Sequence, residues 1–185
     1  MVQTHRPKVV FLSETRQNQG FVENIKWRIG LRGCLAVNGI GKGGGIALFW
    51  DESVNVTIKS YNLRHIDAVI TEQNQDPQRA TFVYGEPKAQ DRHLMWTLLR
   101  RIKQNTSDPW LMIRDFNEAM WQSEHLSQNR RSETQMREFR SVLSYCDLHD
   151  LGFHGIPWTY DNMQRGDRNV RVRLDRAVAS PEWKD

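Results

Sequence analysis

Two cysteines are all the chain has in 185 residues. Cys34 and Cys146 stand far apart, without Cys-x-x-Cys or Cys/His spacing, so neither a disulfide framework nor a structural zinc site is expected. Buried thiols in a reducing compartment fit better. Long apolar runs are missing as well: residues 9–12 and 46–50 fall far short of the roughly 20 residues a bilayer span needs. The N-terminus lacks the apolar segment of a secretory signal. A soluble, non-secreted protein without membrane contact is therefore expected, in the cytoplasm or nucleus. There is no repeat, no low-complexity tract and no long linker, and the length suggests one domain over residues 1–185.

What is present is enough for a core: 38% hydrophobic residues, with seven Trp and seven Phe. Lys and Arg number 26 against 22 acids, for a net charge of +4. Distribution says more than the total. Arg130 and Arg131 adjoin, and Arg165, Arg168, Arg171, Arg173 and Arg176 crowd the C-terminal segment. Such a run is either a solvated basic surface or a set of salt-sensitive, sequence-independent phosphate contacts.

The pattern predicts a buried strand over 9–13 and an amphipathic helix over 21–31, with Phe21, Ile25 and Ile29 on one face and glycines at its end. Strands over 33–37 and 45–50 flank a Gly-rich turn. That turn reads as a hairpin rather than a phosphate cradle, since it lacks the GxxxxGK[ST] order and no helix follows it. Strands over 54–61, 65–71 and 80–84 follow, the first two alternating as half-buried antiparallel strands do. A helix over 90–105 carries Leu94, Leu98 and Ile102 as its stripe, with Met95 and Leu99 beside it. A strand over 110–113 and a long polar loop follow. A further helix opens at Ser132 with a capping box and buries Met136, Phe139, Leu143 and Cys146. Residues 158–162 and 170–177 suggest a hairpin. Strands and helices mix without strict βαβ alternation, which favours an α+β layered sheet over a Rossmann domain.

Four constellations carry chemistry. The apolar run 110–113 ends in Asp115-Phe116-Asn117, so a buried strand delivers an acid and an amide on one face; an Asx turn is the plainer reading. The strand 9–13 releases Glu14, a hard oxygen ligand of the kind that holds Mg²⁺. The strand 80–84 ends in Tyr84, its hydroxyl at the passage from strand to loop. Trp158-Thr159-Tyr160-Asp161-Asn162 is followed by Arg173-Leu174-Asp175-Arg176. Trp158 and Tyr160 alternate onto one face, for stacking on nucleic acid or for core packing. His65 and Asp67 tempt a metal reading, but a structural role suits their strand better.

In that order the constellations resemble the endonuclease/exonuclease/phosphatase superfamily, the deoxyribonuclease I-like fold, and among its members the endonuclease domain of plant non-LTR retrotransposons. The matching segments are 11–15, 44–50, 84–87, 109–118, 136–162 and 173–183, nearly the whole chain. The resemblance implies an α+β four-layer α/β/β/α sandwich, truncated at both ends. It further implies hydrolysis of a phosphodiester in DNA by a monomer using Mg²⁺ or Mn²⁺. Glu14 matches the metal-binding Glu and Tyr84 the Tyr near the scissile phosphate. Asp115 and Asn117 match the pair that orients water and phosphate, and Asp175 the Asp that holds the catalytic His. Arg165, Arg168, Arg171, Arg173, Asn162 and Trp158 are the expected nucleic-acid contacts.

The departures bear on activity. The family's first strand, ending in an Asn, and its terminal Ser-Asp-His strand have no counterpart here, and none of the six His residues stands near the missing position. Arg114 takes the place of the Gly in the family's Gly-Asp-Phe-Asn. Impaired nicking is therefore expected. A non-catalytic remnant that binds nucleic acid weakly and a phosphatase or phosphodiesterase of the same superfamily are the alternative readings.

Overall fold

The computed structural model describes residues 2–39 and 44–184 and divides into two compact units, Met1–Tyr84 and Gly85–Asp185. Every strand pair described below is antiparallel, which agrees with an α+β rather than a Rossmann arrangement.

In the first unit a helical turn, Val2–His5 (α1), precedes strand Val9–Ser13 (β1), helix Gln19–Ile29 (α2), and strands Gly33–Val37 (β2) and Ile46–Trp50 (β3). β3 lies between β1 and β2, and Ile46, Ala47, Leu48 and Phe49 are all buried. Residues 40–43 of the Gly-rich turn lie outside the described residues; on either side of it Val37 pairs with Ile46 as in a hairpin. α2 starts at Asn18, whose side chain accepts the Phe21 N–H at 2.9 Å, and ends at left-handed Gly30. Its inward face is Val22, Ile25 and Ile29, packed on Leu31, Ala36, Ala47 and Phe49. Phe21, expected inside, is half exposed, because Val22 occupies the centre of the face.

Strands Val54–Asn62 (β4), His65–Glu72 (β5) and Gln78–Tyr84 (β6) form a meander. The first half of β5 is buried at every position rather than at alternate ones, because its polar members find partners inside. Asp67 accepts from Arg79 at 2.5 and 3.0 Å and from the Thr81 hydroxyl at 2.7 Å. His65 is held between the Ser60 hydroxyl (3.0 Å) and Asn62 Oδ1 (2.9 Å). Burial lowers the pKa of its imidazole against the pull of Asp67. The pair is structural. Phe11 stacks on Phe82 with ring centres 5.3 Å apart.

In the second unit, helix Arg92–Gln104 (α3) is followed by strand Trp110–Asp115 (β7), the short strand His125–Leu126 (β8) and helix Glu133–Tyr145 (α4). Then come strands His149–Asp150 (β9), Tyr160–Asp161 (β10), Arg171–Val172 (β11) and Asp175–Ala179 (β12), and a last helical turn, Pro181–Lys184 (α5). The buried face of α3 is Arg92, Met95, Trp96, Leu99 and Ile102, rotated from the expected stripe so that Leu94 is 62% exposed. The rotation has a cause hidden in the polar pattern: Arg92 is drawn inward by Glu118 at 2.5 Å. α4 buries Met136, Phe139, Val142 and Leu143, and Cys146 follows at its end. Its capping box does not form. The Ser132 side chain makes no cap bond; the Met136 N–H reaches the Ser132 carbonyl, and Glu133 pairs with Arg140.

The expected C-terminal hairpin is also shorter and differently connected. Only β10 and β11 pair within it, while β12 leaves to pair with β7 and β9. The Thr159 hydroxyl sits 2.9 Å from the N–H of both Leu174 and Asp175, and Phe116 N–H reaches the Leu174 carbonyl, so the main chain is taken out of the hairpin ladder at that point. No helix among the described residues is long and apolar enough to cross a membrane. Burial pushes both thiols, Cys34 and Cys146, up to about 11, and both are free.

Candidate active site

Within the first unit, Glu14 follows the last residue of β1 in a left-handed conformation, φ 54°, which a non-glycine residue adopts only at some cost. The turn is fixed behind it: Thr15 and Arg16 donate their N–H groups to the carbonyls of Gly45 and Gly44, both at 3.1 Å. The Glu14 carboxylate is half exposed. The Tyr84 hydroxyl donates to its Oε1 at 2.8 Å and Arg16 reaches its Oε2 at 3.3 Å. Tyr84 itself is buried, and its N–H bonds the Arg64 carbonyl at 2.8 Å. Burial, then the bond to Glu14 and its charge, hold the phenol above its usual pKa, while the Arg64 guanidinium 5.0 Å from the ring centre opposes them. Tyr84 is thus a protonated donor aimed at a carboxylate.

Within the second unit, β7 delivers Asp115 and Asn117 to a tightly built turn. The expected Asx turn forms, with Asn117 N–H donating to Asp115 Oδ1 at 2.6 Å. Between them Phe116 points the other way. It is fully buried against Phe139, ring centres 5.1 Å apart, and Phe139 stacks in turn on Trp96 at 4.9 Å. Asn117 is left-handed, φ 55°, and its side-chain amide donates to the Gly85 carbonyl at 2.8 Å. The Gly85 N–H donates to the Asp115 carbonyl at 2.6 Å. The approach is so close that a Cβ on Gly85 would lie 2.4 Å from the carbonyl carbon of Phe116, and only glycine fits.

Asp175 stands opposite Asp115 in the β7–β12 pair. Arg114, next to Asp115, has φ 109°, well outside the range a bulky side chain accepts. Glycine, which the resembling motif carries at this place, adopts such a φ without a Cβ penalty. Glu118, which sequence reasoning assigned no role, is 0% exposed and takes Arg92 on one oxygen and Arg131 on the other. Only the Phe116-Asn117-Glu118 run hinted at it.

The proposed nucleic-acid residues divide. Arg165 and Arg168 are exposed, in and beside the turn Gly166–Arg168. Arg171 is half exposed, bonded to Asp161 at 2.9 Å and stacked 5.6 Å from the centre of Trp158. The Trp158 Nε1 is buried without a partner. Asn162 is spent on the turn, accepting from Val170 N–H and donating to the Arg168 carbonyl. Arg173 corrects the expectation: it is buried and bonded to Asp150 at 2.8 Å and the Gly152 carbonyl at 3.1 Å, so it presents no guanidinium to a phosphate. Arg176 is buried in the same network, on Glu124 and Asp150.

Among solved structures the chain is similar to the endonuclease domain of TRAS1, a telomere-specific non-LTR retrotransposon. Identity is 14%, covering 98% of this chain and 76% of that one, with a TM-score of 0.71. It is similar to an AP endonuclease from Archaeoglobus fulgidus at 20% identity, over 98% and 79% of the two chains, with a TM-score of 0.73. A 3′-5′ exonuclease (NExo) from Neisseria meningitidis gives 17%, 98%, 79% and 0.71. These likenesses show a shared deoxyribonuclease I-like α+β fold. No match was found among curated proteins. A family model covers residues 1–185 in full, and the chain belongs to the Endonuclease/Exonuclease/phosphatase family.

Proposed function

We propose that the protein hydrolyses a phosphodiester in DNA with the help of Mg²⁺ or Mn²⁺, as a nicking endonuclease of the kind found in plant non-LTR retrotransposons. The observation that carries this reading is the Asp115–Asn117–Gly85 turn, a strained and fully hydrogen-bonded arrangement that puts an acid and an amide at the end of a buried strand. Strain of this kind, kept by surrounding bonds, clusters at functional sites.

The donor set fits a lightly held divalent cation. Glu14 is a half-exposed hard oxygen ligand, and no cluster of three or more His, Cys, Asp or Glu occurs among the described residues. Mg²⁺ is commonly held by one or two carboxylates with water and phosphate completing its shell. Glu14 would hold the cation, which supplies neutralisation of the charge that develops on the phosphate. Asp115, oriented by the Asn117 N–H, accepts a proton from the attacking water. The Asn117 amide orients the phosphate, and Tyr84, whose one hydroxyl proton is given to Glu14, holds that carboxylate near the scissile phosphate. Asp175 stands where the resembling motif orients a catalytic imidazole, a partner that none of the six histidines matches, so its carboxylate would act without one. Arg165 and Arg168, with Arg171 stacked beside Trp158, would contact the DNA backbone, while Asn162 shapes the turn that carries them.

The non-catalytic reading draws on Arg114, whose bulk stands beside Asp115 where glycine would leave room. Relaxation of supercoiled plasmid with added Mg²⁺ or Mn²⁺ separates the two. Nicking that a chelator stops and that Asp115→Ala and Glu14→Gln abolish supports hydrolysis. Plasmid that stays supercoiled while still shifting in a gel favours binding alone.

A further inference from the structure

The turn that carries Asn117 is held from a direction the functional reading does not use. Arg131 lies in the loop before α4, its side chain 17% exposed, and reaches two groups at once. Its Nε donates to Glu118 Oε1, and its Nη2 donates to the Asn117 carbonyl at 2.7 Å. Its own N–H is fixed by Gln122 Oε1 at 3.1 Å. Glu118 is completed by Arg92, which also donates to the carbonyls of Glu86 and Pro87, the residues that follow Gly85. One buried carboxylate thereby ties the 85–87 segment, the 115–118 turn and the loop ending at Arg131.

Asn117 is consequently engaged at its N–H by Asp115, at its side-chain amide by Gly85 and at its carbonyl by Arg131. Its left-handed φ of 55° is one that asparagine tolerates and does not by itself prefer. We propose that Arg131 is a positioning residue, which together with Glu118 locks Asn117 in that conformation by holding its carbonyl, and so sets the aim of the Asn117 side chain toward substrate. The fork of a guanidinium suits such a role. Its parallel N–H groups bridge a carboxylate and a carbonyl, which a single ammonium at the end of a flexible stem cannot do in the same geometry.

The role rests on Asn117 acting in phosphodiester hydrolysis, so the test includes a measurement independent of activity. The full chain is compared with Arg131→Lys, which keeps the positive charge beside Glu118, and with Arg137→Lys as a control at an exposed position of α4. Hydrogen exchange at the Asn117 backbone amide is followed by NMR, alongside plasmid nicking with Mg²⁺ or Mn²⁺. Arg131→Lys is expected to speed exchange at Asn117 at least tenfold while amides of β3 stay protected. It is expected to lower kcat about a hundredfold with KM unchanged, the loss that misplacement of a group by about 1 Å brings. Unchanged exchange at Asn117 overturns the proposal, as does faster exchange with undiminished kcat. If the parent chain does not nick, the functional reading fails, while the exchange measurement still rules on whether Arg131 holds Asn117. Arg131→Ala adds a stronger perturbation. Should it fail to fold, Arg131→Lys alone decides.

Discussion

Glu14 and Asn117 share a backbone peculiarity, a left-handed residue just beyond a strand, yet their surroundings are opposite. The Glu14 carboxylate is 49% exposed and held by one phenol and one exposed guanidinium. Asn117 is bound at its N–H, its carbonyl and its side-chain amide, over a floor of Phe116, Phe139 and Trp96. The contrast suits the two roles proposed for them. A metal ligand must shed a hydrogen bond and turn toward an ion, so a lightly held, hydrated carboxylate serves well. A group that aims a reactant gains from being already fixed, because misalignment raises the barrier directly.

The contrast can be broken most forcefully at Glu118. Glu118→Ala leaves Arg92 and Arg131 buried side by side without their counter-charge, and urea denaturation should show a loss of about 3–5 kcal/mol. A loss below about 1 kcal/mol would mean that water enters and the hub is not structural. Gly85→Ala comes next. Its Cβ meets backbone rather than a movable side chain, so the turn must shift, at about 1–3 kcal/mol, with the Asn117 amide signal displaced in NMR spectra.

Arg114→Gly works in the other direction. Release of a φ of 109° is worth about 1–3 kcal/mol, offset in part by the chain entropy of glycine, and a net gain of about 1 kcal/mol should appear as a higher melting temperature. A fall would show that the arginine side chain contributes more than its backbone costs. Smallest in stability is Glu14→Gln. The melting point should move by less than about 0.5 kcal/mol equivalent, while Mn²⁺ binding, followed by water proton relaxation, should weaken at least tenfold. Equal Mn²⁺ binding by both proteins would remove Glu14 from the metal site.

How much of this was legible in the sequence follows the range of the interactions. Short-range patterns read well: the strands of the first unit and β7, the Asx turn at Asp115, and the antiparallel mixture that favours an α+β sheet over a Rossmann domain. The turn at Asp115 was legible because Asp-x-Asn encodes its own bond. Glu118 was not, since its role depends on Arg92 and Arg131, 26 and 13 residues away, meeting on one carboxylate. The same ion pairs explain the error in α3. An arginine counted as polar took a core position, and the helix rotated with it. Arg173 misled for the same reason, as a basic run does not announce which of its members face inward. The strained φ of Arg114 cannot be read from a residue type that ordinarily avoids it.

The bond from the Asn117 side chain to Gly85 spans 32 residues of chain, and all of α3 lies within that span. Closing such a loop costs entropy before any contact in it is rewarded, so contacts of this separation form late on a folding route. The local Asp115–Asn117 bond can therefore form early, while the bond from Asn117 to Gly85 waits until the chain has closed around α3. A newly made chain would hold the turn before the Asn117 amide is fixed on Gly85, and the proposed chemistry would wait on the docking of α3.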